Sequence, residues 1–252
     1  WSGCNRQKIV KNPNANSRAN LLRTRLLCRW TQRPTGIWIR PVSKSNAGRI
    51  GVWGASGSGK SAYVKKAIKG KKRVVVFDPL DEYSTQGMVR CRTVEEVRQA
   101  MVKKWKTFRI AYVPPAGREP RALSQIAKLL MVAQMPFKST GKGQGITFVV
   151  EEMNLSFPVH GGDAKARHFA DICSRGRHYG ITVYGLSQRI AEVSTRFRGN
   201  CTQSIVLRQQ GPRDIQAAVD VSGATRAEVM ALKNLDYIAE SNGERTNGRI
   251  KF

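Results

Sequence analysis

Acidic residues are scarce in this 252-residue sequence, which contains 17 Asp and Glu against 44 Lys and Arg, for a formal net charge of +27. The imbalance is largest at the beginning, because residues 1–77 contain eighteen Lys or Arg and no Asp or Glu. This deficit excludes the ordinary soluble surface, on which charges of both signs are mixed. A surface this basic attracts polyanions, so we expect contact with nucleic acid, with an anionic membrane surface as the alternative.

Paired cysteines and long apolar runs are also missing. The five cysteines are odd in number and no two have CxxC spacing, so we expect free thiols in a reducing compartment rather than disulfides or zinc. No apolar run reaches the ~18–20 residues that cross a bilayer, which predicts no transmembrane segment. The first thirty residues lack the apolar core of a signal peptide, so we expect a protein that is not secreted.

Composition divides the chain into three regions. We expect a basic, flexible N-terminal extension at 1–45, a folded domain at 46–240 and a C-terminal tail at 241–252. In the domain, short β-branched runs alternate with helical stretches, which predicts an α/β fold with a mainly parallel central sheet flanked by helices. The predicted strands are 49–53, 73–77, 109–113, 146–151, 182–186 and 204–207. The predicted helices are 61–69, 93–106, 121–134, 164–175, 213–222 and 226–232, and 138–145 is predicted to be a flexible basic loop.

The segment that follows the first predicted strand matches the phosphate-binding pattern G-x-x-x-x-G-K-[ST] in full. Glycine lets backbone N–H groups approach a phosphate closely because it has no Cβ, and the N-terminus of the following helix attracts anions. We expect Lys60 to bind the β- and γ-phosphates of ATP and the Ser61 hydroxyl to ligate Mg²⁺. The segment consists of Gly54, Ala55, Ser56, Gly57, Ser58, Gly59, Lys60 and Ser61.

Polar residues end two of the predicted strands. Because strand ends in a parallel sheet face the ligand crevice, Glu151 and Glu152 are expected beside the phosphates, the alternative being ordinary surface acids. We expect Glu151 on the metal side and Glu152 as the base that polarises the attacking water. After the strand 182–186, Gln188 is expected to contact the γ-phosphate or that water.

Two arginines in the sequence SRGRHYG come just before the strand 182–186. In a ring of subunits, Arg177 or, as the second choice, Arg175 would reach the γ-phosphate of a neighbouring subunit and stabilise charge there. The alternative is a DNA-facing or solvated pair. Arg208, which follows the next predicted strand, is a secondary candidate for the same role.

Four blocks of sequence, from about 51 to 207, together resemble the FtsK/HerA superfamily of DNA-pumping ATPases. The P-loop alone is generic, and the last block makes the resemblance specific. Glu151 departs from the family pattern, which usually has Asp at this position. The blocks are GASGSGKS after a strand, VVVFDPLDEYS, ITFVVEEMN, and SRGRHYGITVYGLSQR followed by GNCTQSIVLR.

The resemblance implies a RecA-like ATPase core that binds ATP and Mg²⁺ and assembles as a homohexameric ring. It also implies that Gln188 is a sensor and that Arg177 is an arginine finger acting on the neighbouring subunit. The compact core is similar to that of the genome-packaging ATPases of membrane-containing icosahedral viruses. The expected partners are therefore double-stranded DNA and a capsid-vertex or membrane protein, and the expected location is the host cytoplasm or the virion.

Two other functions stay open from the sequence. A small P-loop kinase would need an acceptor pocket and a mobile lid, and no clear lid is visible. A nucleotide-gated assembly protein without motor activity, of the kind found in filamentous-phage morphogenesis, would be expected to carry a membrane segment.

Overall fold

The computed structural model of the protein describes residues 47–84 and 87–251, so the extension predicted at 1–45 lies outside the described residues. The described strands are β1 (Arg49–Trp53), β2 (Arg73–Phe77), β3 (Val89–Cys91), β4 (Phe108–Tyr112), β5 (Ile146–Val150), β6 (Ile181–Ser187), β7 (Gln203–Leu207), β8 (Asp236–Ser241) and β9 (Glu244–Arg249).

The helices lie between these strands. They are α1 (Lys60–Ala67), α2 (Val94–Lys103), α3 (Glu119–Ala133), α4 (Met135–Thr140), α5 (Met153–Ser156), α6 (Gly162–Lys165), α7 (Arg167–Arg175), α8 (Thr195–Arg198), α9 (Pro212–Ser222) and α10 (Arg226–Ala231), with 3₁₀ turns at Gly176–Tyr179 and Ile190–Glu192. Within the described residues, no helix combines the length and the apolar character that a membrane crossing requires.

The strands form one nine-stranded sheet in the order β3-β4-β2-β5-β6-β1-β7-β8-β9. All pairings among β1 to β7 are parallel, whereas β8 and β9 add an antiparallel edge. Every residue of β2 and β5 is buried, because helices cover both faces of the sheet at its centre. The predicted α/β fold with a mainly parallel sheet is confirmed. Since β5, β6 and β1 are neighbours, their carboxyl ends meet at one edge.

The sheet separates two parts of the core. On one face, edge-to-face aromatic packing dominates: the rings of Phe157 and Phe169 lie 5.0 Å apart at 83°, and Phe148 lies 6.0 Å from Phe169. On the other face, Val64 and Ile68 of α1 pack against the apolar side chains of β1, β2 and β6. Each buried Phe contributes roughly 3–5 kcal/mol by comparison with alanine, so the aromatic contacts stabilise the first face, whereas Val64 holds α1 against the second.

The C-terminal boundary predicted at 241 is wrong. Residues 244–249 form β9, which pairs in antiparallel fashion along the whole of β8, and Ile250 is buried with Val64 and Ile68. The side chains of β9 are polar and mostly exposed, so the strand has no apolar alternation in its sequence. Its pairing with β8 is what defines it, and 241–251 belongs to the folded domain.

Two further predictions are wrong in part. The helix predicted at 164–175 breaks at the fully buried Ala166, whose φ and ψ of −107° and 45° are not helical, because tertiary packing overrides helix propensity there. The loop predicted at 138–145 begins inside α4, which ends at Gly141 with a φ of 66°. Lys138 of α4 donates to the Tyr179 hydroxyl at 3.0 Å, and this contact holds the segment against the turn before β6.

Candidate active site

The phosphate-binding loop connects the end of β1 to the start of α1 at the carboxyl edge of the sheet. The N–H of Gly54 donates to the Ser187 carbonyl (3.2 Å) and the N–H of Ala55 donates to the Arg208 carbonyl (2.8 Å), so the strands on both sides of β1 anchor the loop. Gly59 has a φ of 110°, and a Cβ there would lie 2.9 Å from the Leu235 side chain. The positive φ is what requires glycine at this position, and the Leu235 side chain would have to shift to admit a Cβ.

Lys60, the first residue of α1, is only 7% exposed. Its Nζ donates to the carbonyl of Ala55 at 3.2 Å, which holds the ammonium group against the loop. Burial lowers the pKa of Lys60, and the nearby carboxylates of Glu152 and Glu151 oppose this shift by favouring the charged form. A buried cation at a helix N-terminus is suited to bind an anion of high charge.

Glu151 lies at the end of β5 and is 6% exposed. Its backbone N–H donates to the Phe77 carbonyl at 3.0 Å, so the carboxylate is held in register with the end of β2. Burial raises the pKa of Glu151 to about 7, against the hydrogen bond from the Tyr83 hydroxyl, which favours the ionised carboxylate. The site therefore favours a cation beside this side chain.

Tyr83 was not predicted from the sequence as a functional residue. It is fully buried, and its hydroxyl donates to Glu151 Oε1 at 2.5 Å. Asp78, which is buried at the end of β2, accepts the backbone N–H groups of Glu82 (3.1 Å) and Tyr83 (2.9 Å). Asp78 thus shapes the turn that brings Tyr83 to the carboxylate, and the only sequence signal for this contact is the block DPLDEY.

Glu152 and Gln188 meet across neighbouring strands. Gln188 Nε2 donates to Glu152 Oε1 at 2.9 Å. Glu152 has a φ of 45°, a left-handed conformation that costs roughly 1–3 kcal/mol in a residue other than glycine. Strain of this size is retained where the surrounding structure fixes it, and here it accompanies the side-chain contact with Gln188.

These groups surround one cleft of about 250 Å³ at the carboxyl edge. The structure therefore brings together seven of the predicted site residues: four from the loop and the start of α1, the two adjacent glutamates and the glutamine. The lining consists of Ser56, Gly57, Lys60, Ser61, Asp78, Leu80, Glu82, Glu151, Glu152 and Gln188.

The predicted arginines do not join this cleft. Arg177 lies in the 3₁₀ turn before β6, at the amino edge of the sheet, whereas Gln188 follows the carboxyl end of that strand. Seven residues of extended chain separate them by roughly 20 Å. Arg175 pairs with Asp171 at 2.5 Å. Arg208 instead lies beside the loop of its own chain, where it donates to the Ser56 carbonyl at 3.0 Å.

The chain matches no protein-family model and no curated protein. It does superpose on solved structures. The genome packaging NTPase B204 from Sulfolobus turreted icosahedral virus 2, in complex with AMPPCP, matches with a TM-score of 0.63 at 13% identity, over 82% of this chain and 98% of that chain. This chain shares the fold of that genome packaging NTPase. The resemblance noted in the sequence is confirmed at the level of the fold.

Two further structures extend the likeness. VirB4 of Thermoanaerobacter pseudethanolicus matches with a TM-score of 0.59 at 13% identity, over 86% of this chain and 93% of that chain. The cytoplasmic domain of the Thermomonospora curvata Type VII secretion ATPase EccC matches with a TM-score of 0.56 at 13% identity, over 82% of this chain and 26% of that one. At these identities the match describes the fold, so the roles of individual residues rest on the geometry above.

Proposed function

We propose that this chain hydrolyses ATP to move DNA, and that it packages double-stranded viral DNA. The observation that carries the proposal is the convergence of Lys60, Glu151, Glu152 and Gln188 on one cleft beside the phosphate-binding loop. The net charge of +27 supports a polyanionic substrate. The likeness to a viral genome packaging NTPase supports packaging as the purpose of the movement.

ATP binding is assigned to the loop and to the start of α1. The backbone N–H groups of the loop and the helix N-terminus face the phosphates, as in other P-loops. Lys60, now bonded to the Ala55 carbonyl, turns its ammonium group to the β- and γ-phosphates. Because the lysine is buried, its attraction for these phosphates is weakly screened by water.

The residues present fit Mg²⁺. Ser61 and Glu151 offer a hydroxyl and a carboxylate oxygen, the donor types that this ion prefers. Within 47–84 and 87–251, no three His, Cys, Asp or Glu side chains cluster as a metal site, which suits an ion held by one or two carboxylates together with substrate phosphates. Ser61 and Glu151 would hold the ion, which would supply positive charge to offset the negative charge that develops on the phosphates.

Glu152 is the proposed general base, and Gln188 positions it. The carboxylate of Glu152 accepts a proton from the attacking water while the water oxygen bonds to the γ-phosphorus and the bond to the β–γ bridging oxygen breaks, which yields ADP and phosphate. The hydrogen bond from Gln188 fixes the carboxylate relative to the end of β6. Through this contact, the glutamine is also close enough to orient the water.

A ring of subunits is proposed because Arg177 is distant from the ATP cleft of its own chain. Since Arg177 lies at the amino edge, it can act on a γ-phosphate only when that phosphate belongs to another copy of the chain. A homohexameric ring would supply this contact in every subunit. We place such a ring in the host cytoplasm or at the packaging vertex of the virion, in contact with a capsid-vertex or membrane protein.

The test is steady-state hydrolysis of Mg-ATP by the full chain, with and without duplex DNA, over a salt series. We expect DNA to raise the rate and salt to remove the effect, because phosphate contacts release counterions. Lys60→Ala should abolish hydrolysis at every salt concentration, and Lys128→Ala, an exposed lysine of α3, is the matched control. A rate that DNA does not change at any salt concentration would remove the support for a DNA-moving enzyme.

A further inference from the structure

Two segments distant from the ATP cleft are rich in cations. Residues 65–73 and 103–109 together contain ten Lys or Arg and no Asp or Glu. The fold joins them side by side, since the Phe108 N–H donates to the Lys72 carbonyl at 2.9 Å and Arg73 Nε donates to the Trp105 carbonyl at 2.8 Å. The lysines of both segments therefore face one part of the surface.

The first groove in this region lies at the amino ends of β2 and β4 and has a volume of about 530 Å³. Its charged lining residues are Lys69, Lys71, Lys72, Lys104 and Arg109, and no carboxylate of residues 47–84 or 87–251 lines it. Arg109 donates to the carbonyls of Ile68 (3.1 Å) and Lys71 (3.2 Å), so it holds the end of α1 in place. The lysines beside it are exposed.

A second groove continues from the first. It has a volume of about 580 Å³ and runs along α1 against the C-terminal residues, with Lys65, Lys66, Lys69 and Lys251 as its charged lining. Lys69 lines both grooves, so they form one continuous surface, which we call the basic track. Among the residues that the structure describes, no Asp or Glu lines either groove.

The cations of the basic track are not neutralised within the protein. In the described parts of the chain, every ion pair is made by an arginine outside the basic track. Concentrated charge of one sign repels itself and destabilises a compact state, and a bound polyanion removes this cost. The surface is therefore suited to an anion with many closely spaced charges.

We propose that the basic track binds the phosphate backbone of double-stranded DNA, from the amino ends of β2 and β4 along the outer side of α1. The choice of DNA as the polyanion rests on the proposed function. A membrane fits less well, because interfacial helices insert an apolar face and the apolar residues Val64 and Ile68 of α1 are buried against the sheet. Helix α1 lies between the two proposed ligands. Lys60 and Ser61 at its start face the ATP cleft, and Lys65, Lys66 and Lys69, further along the chain, line the basic track.

The test compares two variants with the same loss of charge. The track variant carries Lys69→Gln, Lys71→Gln, Lys72→Gln and Lys104→Gln, all exposed positions. The control variant carries Arg121→Gln, Lys128→Gln, Arg226→Gln and Lys233→Gln, also exposed but outside both grooves. Fluorescence anisotropy with a labelled duplex of about 30 base pairs gives the affinity of the full chain from about 50 to 200 mM salt.

We expect the track variant to bind duplex DNA roughly tenfold or more weakly, and its salt slope to fall by up to about 3–4, because each lost phosphate contact lowers the slope by about 0.9. The control variant should stay within about threefold of the parent. Circular dichroism melting of both variants shows whether they are folded. Equal weakening in the two variants would show that net charge alone acts, and it would overturn the proposal.

Two further outcomes separate this inference from the proposed function. If the parent shows DNA-stimulated hydrolysis and the track variant keeps the parent's affinity, the inference fails and the proposed function stands. If the parent hydrolyses no ATP but binds DNA, and the track variant loses that binding, the proposed function fails and the inference stands. Vesicles containing phosphatidylserine are tested in the same way. If the track variant loses vesicle binding but keeps the parent's affinity for DNA, the surface binds membranes and the proposal is overturned.

Discussion

The two edges of the same parallel sheet have opposite chemistry. At the carboxyl edge, four carboxylates and one lysine line a cleft of about 250 Å³, in which Lys60, Asp78 and Glu151 are buried and Glu152 is hydrogen-bonded to Gln188. The basic track, which begins at the amino edge and continues along α1, is lined by cations that are mostly exposed, with no Asp or Glu among its described lining residues. Buried, hydrogen-bonded groups hold the precise geometry that phosphate chemistry needs. Exposed lysines give affinity for a charged polymer without reading its sequence.

The short helix α1 connects the two edges. Its first residues, Lys60 and Ser61, line the cleft, and Lys65 and Lys66 line the basic track. Eight helical residues span roughly 12 Å. A small displacement of α1 on nucleotide binding would therefore reach the basic track directly, and the comparison between the two edges can be tested one edge at a time.

The largest expected effect at the carboxyl edge comes from Glu152→Gln. Removing the general base should lower the rate of ATP hydrolysis by roughly 10²–10⁴-fold, while the affinity for ATP changes little, because Gln retains the contact with Gln188. Rapid-quench kinetics and equilibrium titration measure the two quantities. The control is Glu82→Gln, another carboxylate of the same cleft. Similar rate losses in both variants would mean that Glu152 has no special role.

The next effect is a pH dependence of stability caused by Glu151. Burial raises its pKa from 4.5 to about 7, so the folded protein favours the protonated side chain. The stability that this side chain contributes is therefore fully present below pH 4.5 and is lost as the pH rises through about 7. In metal-free protein, the free energy of unfolding of Glu151→Gln, measured relative to the parent, should therefore rise by about 2 kcal/mol from pH 5 to pH 8. Urea unfolding at the two pH values measures the change. If the difference in unfolding free energy between variant and parent is the same at both pH values, burial does not destabilise the ionised Glu151.

A smaller effect is expected for Tyr83→Phe. The change removes the donor to Glu151 Oε1 and leaves a buried carboxylate without that partner, which costs about 1–3 kcal/mol. The control is Tyr237→Phe, whose hydroxyl has no hydrogen-bond partner among the described residues and which should change stability by less than about 0.5 kcal/mol. Chemical denaturation of the free protein measures both, and equal losses would remove the special role of Tyr83.

The smallest effect is expected for Arg208→Lys. The guanidinium group donates to the Ser56 carbonyl at 3.0 Å and to Asn234 Oδ1 at 2.6 Å, and a single ammonium group cannot span both. We expect the affinity for ATP to fall by roughly two- to fivefold, since one hydrogen bond contributes about 1 kcal/mol. Arg213→Lys is the control, and isothermal titration is the measurement. An unchanged affinity would show that Arg208 does not support the loop.

The central strands could be predicted from the sequence because burial on both faces requires continuous apolar runs. The runs VVV in β2 and ITFVV in β5 have no other common explanation in an α/β chain. The edge strands could not be predicted in this way. β3 has three residues and β9 is polar, so their pairing partners define them rather than their own side chains.

Some parts of the candidate site could likewise be predicted from local sequence, and others could not. The phosphate-binding loop and the acids at the end of β5 are local patterns, so their meeting in one cleft follows from strand order. The contact between Tyr83 and Glu151 joins residues 68 positions apart, and nothing in either local sequence specifies it. The sequence also could not show that Arg208 contacts the loop of its own chain. Both contacts depend on turns whose conformation the tertiary structure decides.

Amide hydrogen exchange tests the division between the two edges most directly. A non-hydrolysable Mg-ATP analogue should slow exchange in residues 54–61 and at 151–152, and duplex DNA should slow it in residues 69–73 and 103–109. The two ligands should thus protect separate edges of the same sheet. Nucleotide protection that leaves 54–61 unchanged, or DNA protection confined to the carboxyl edge, would contradict this account.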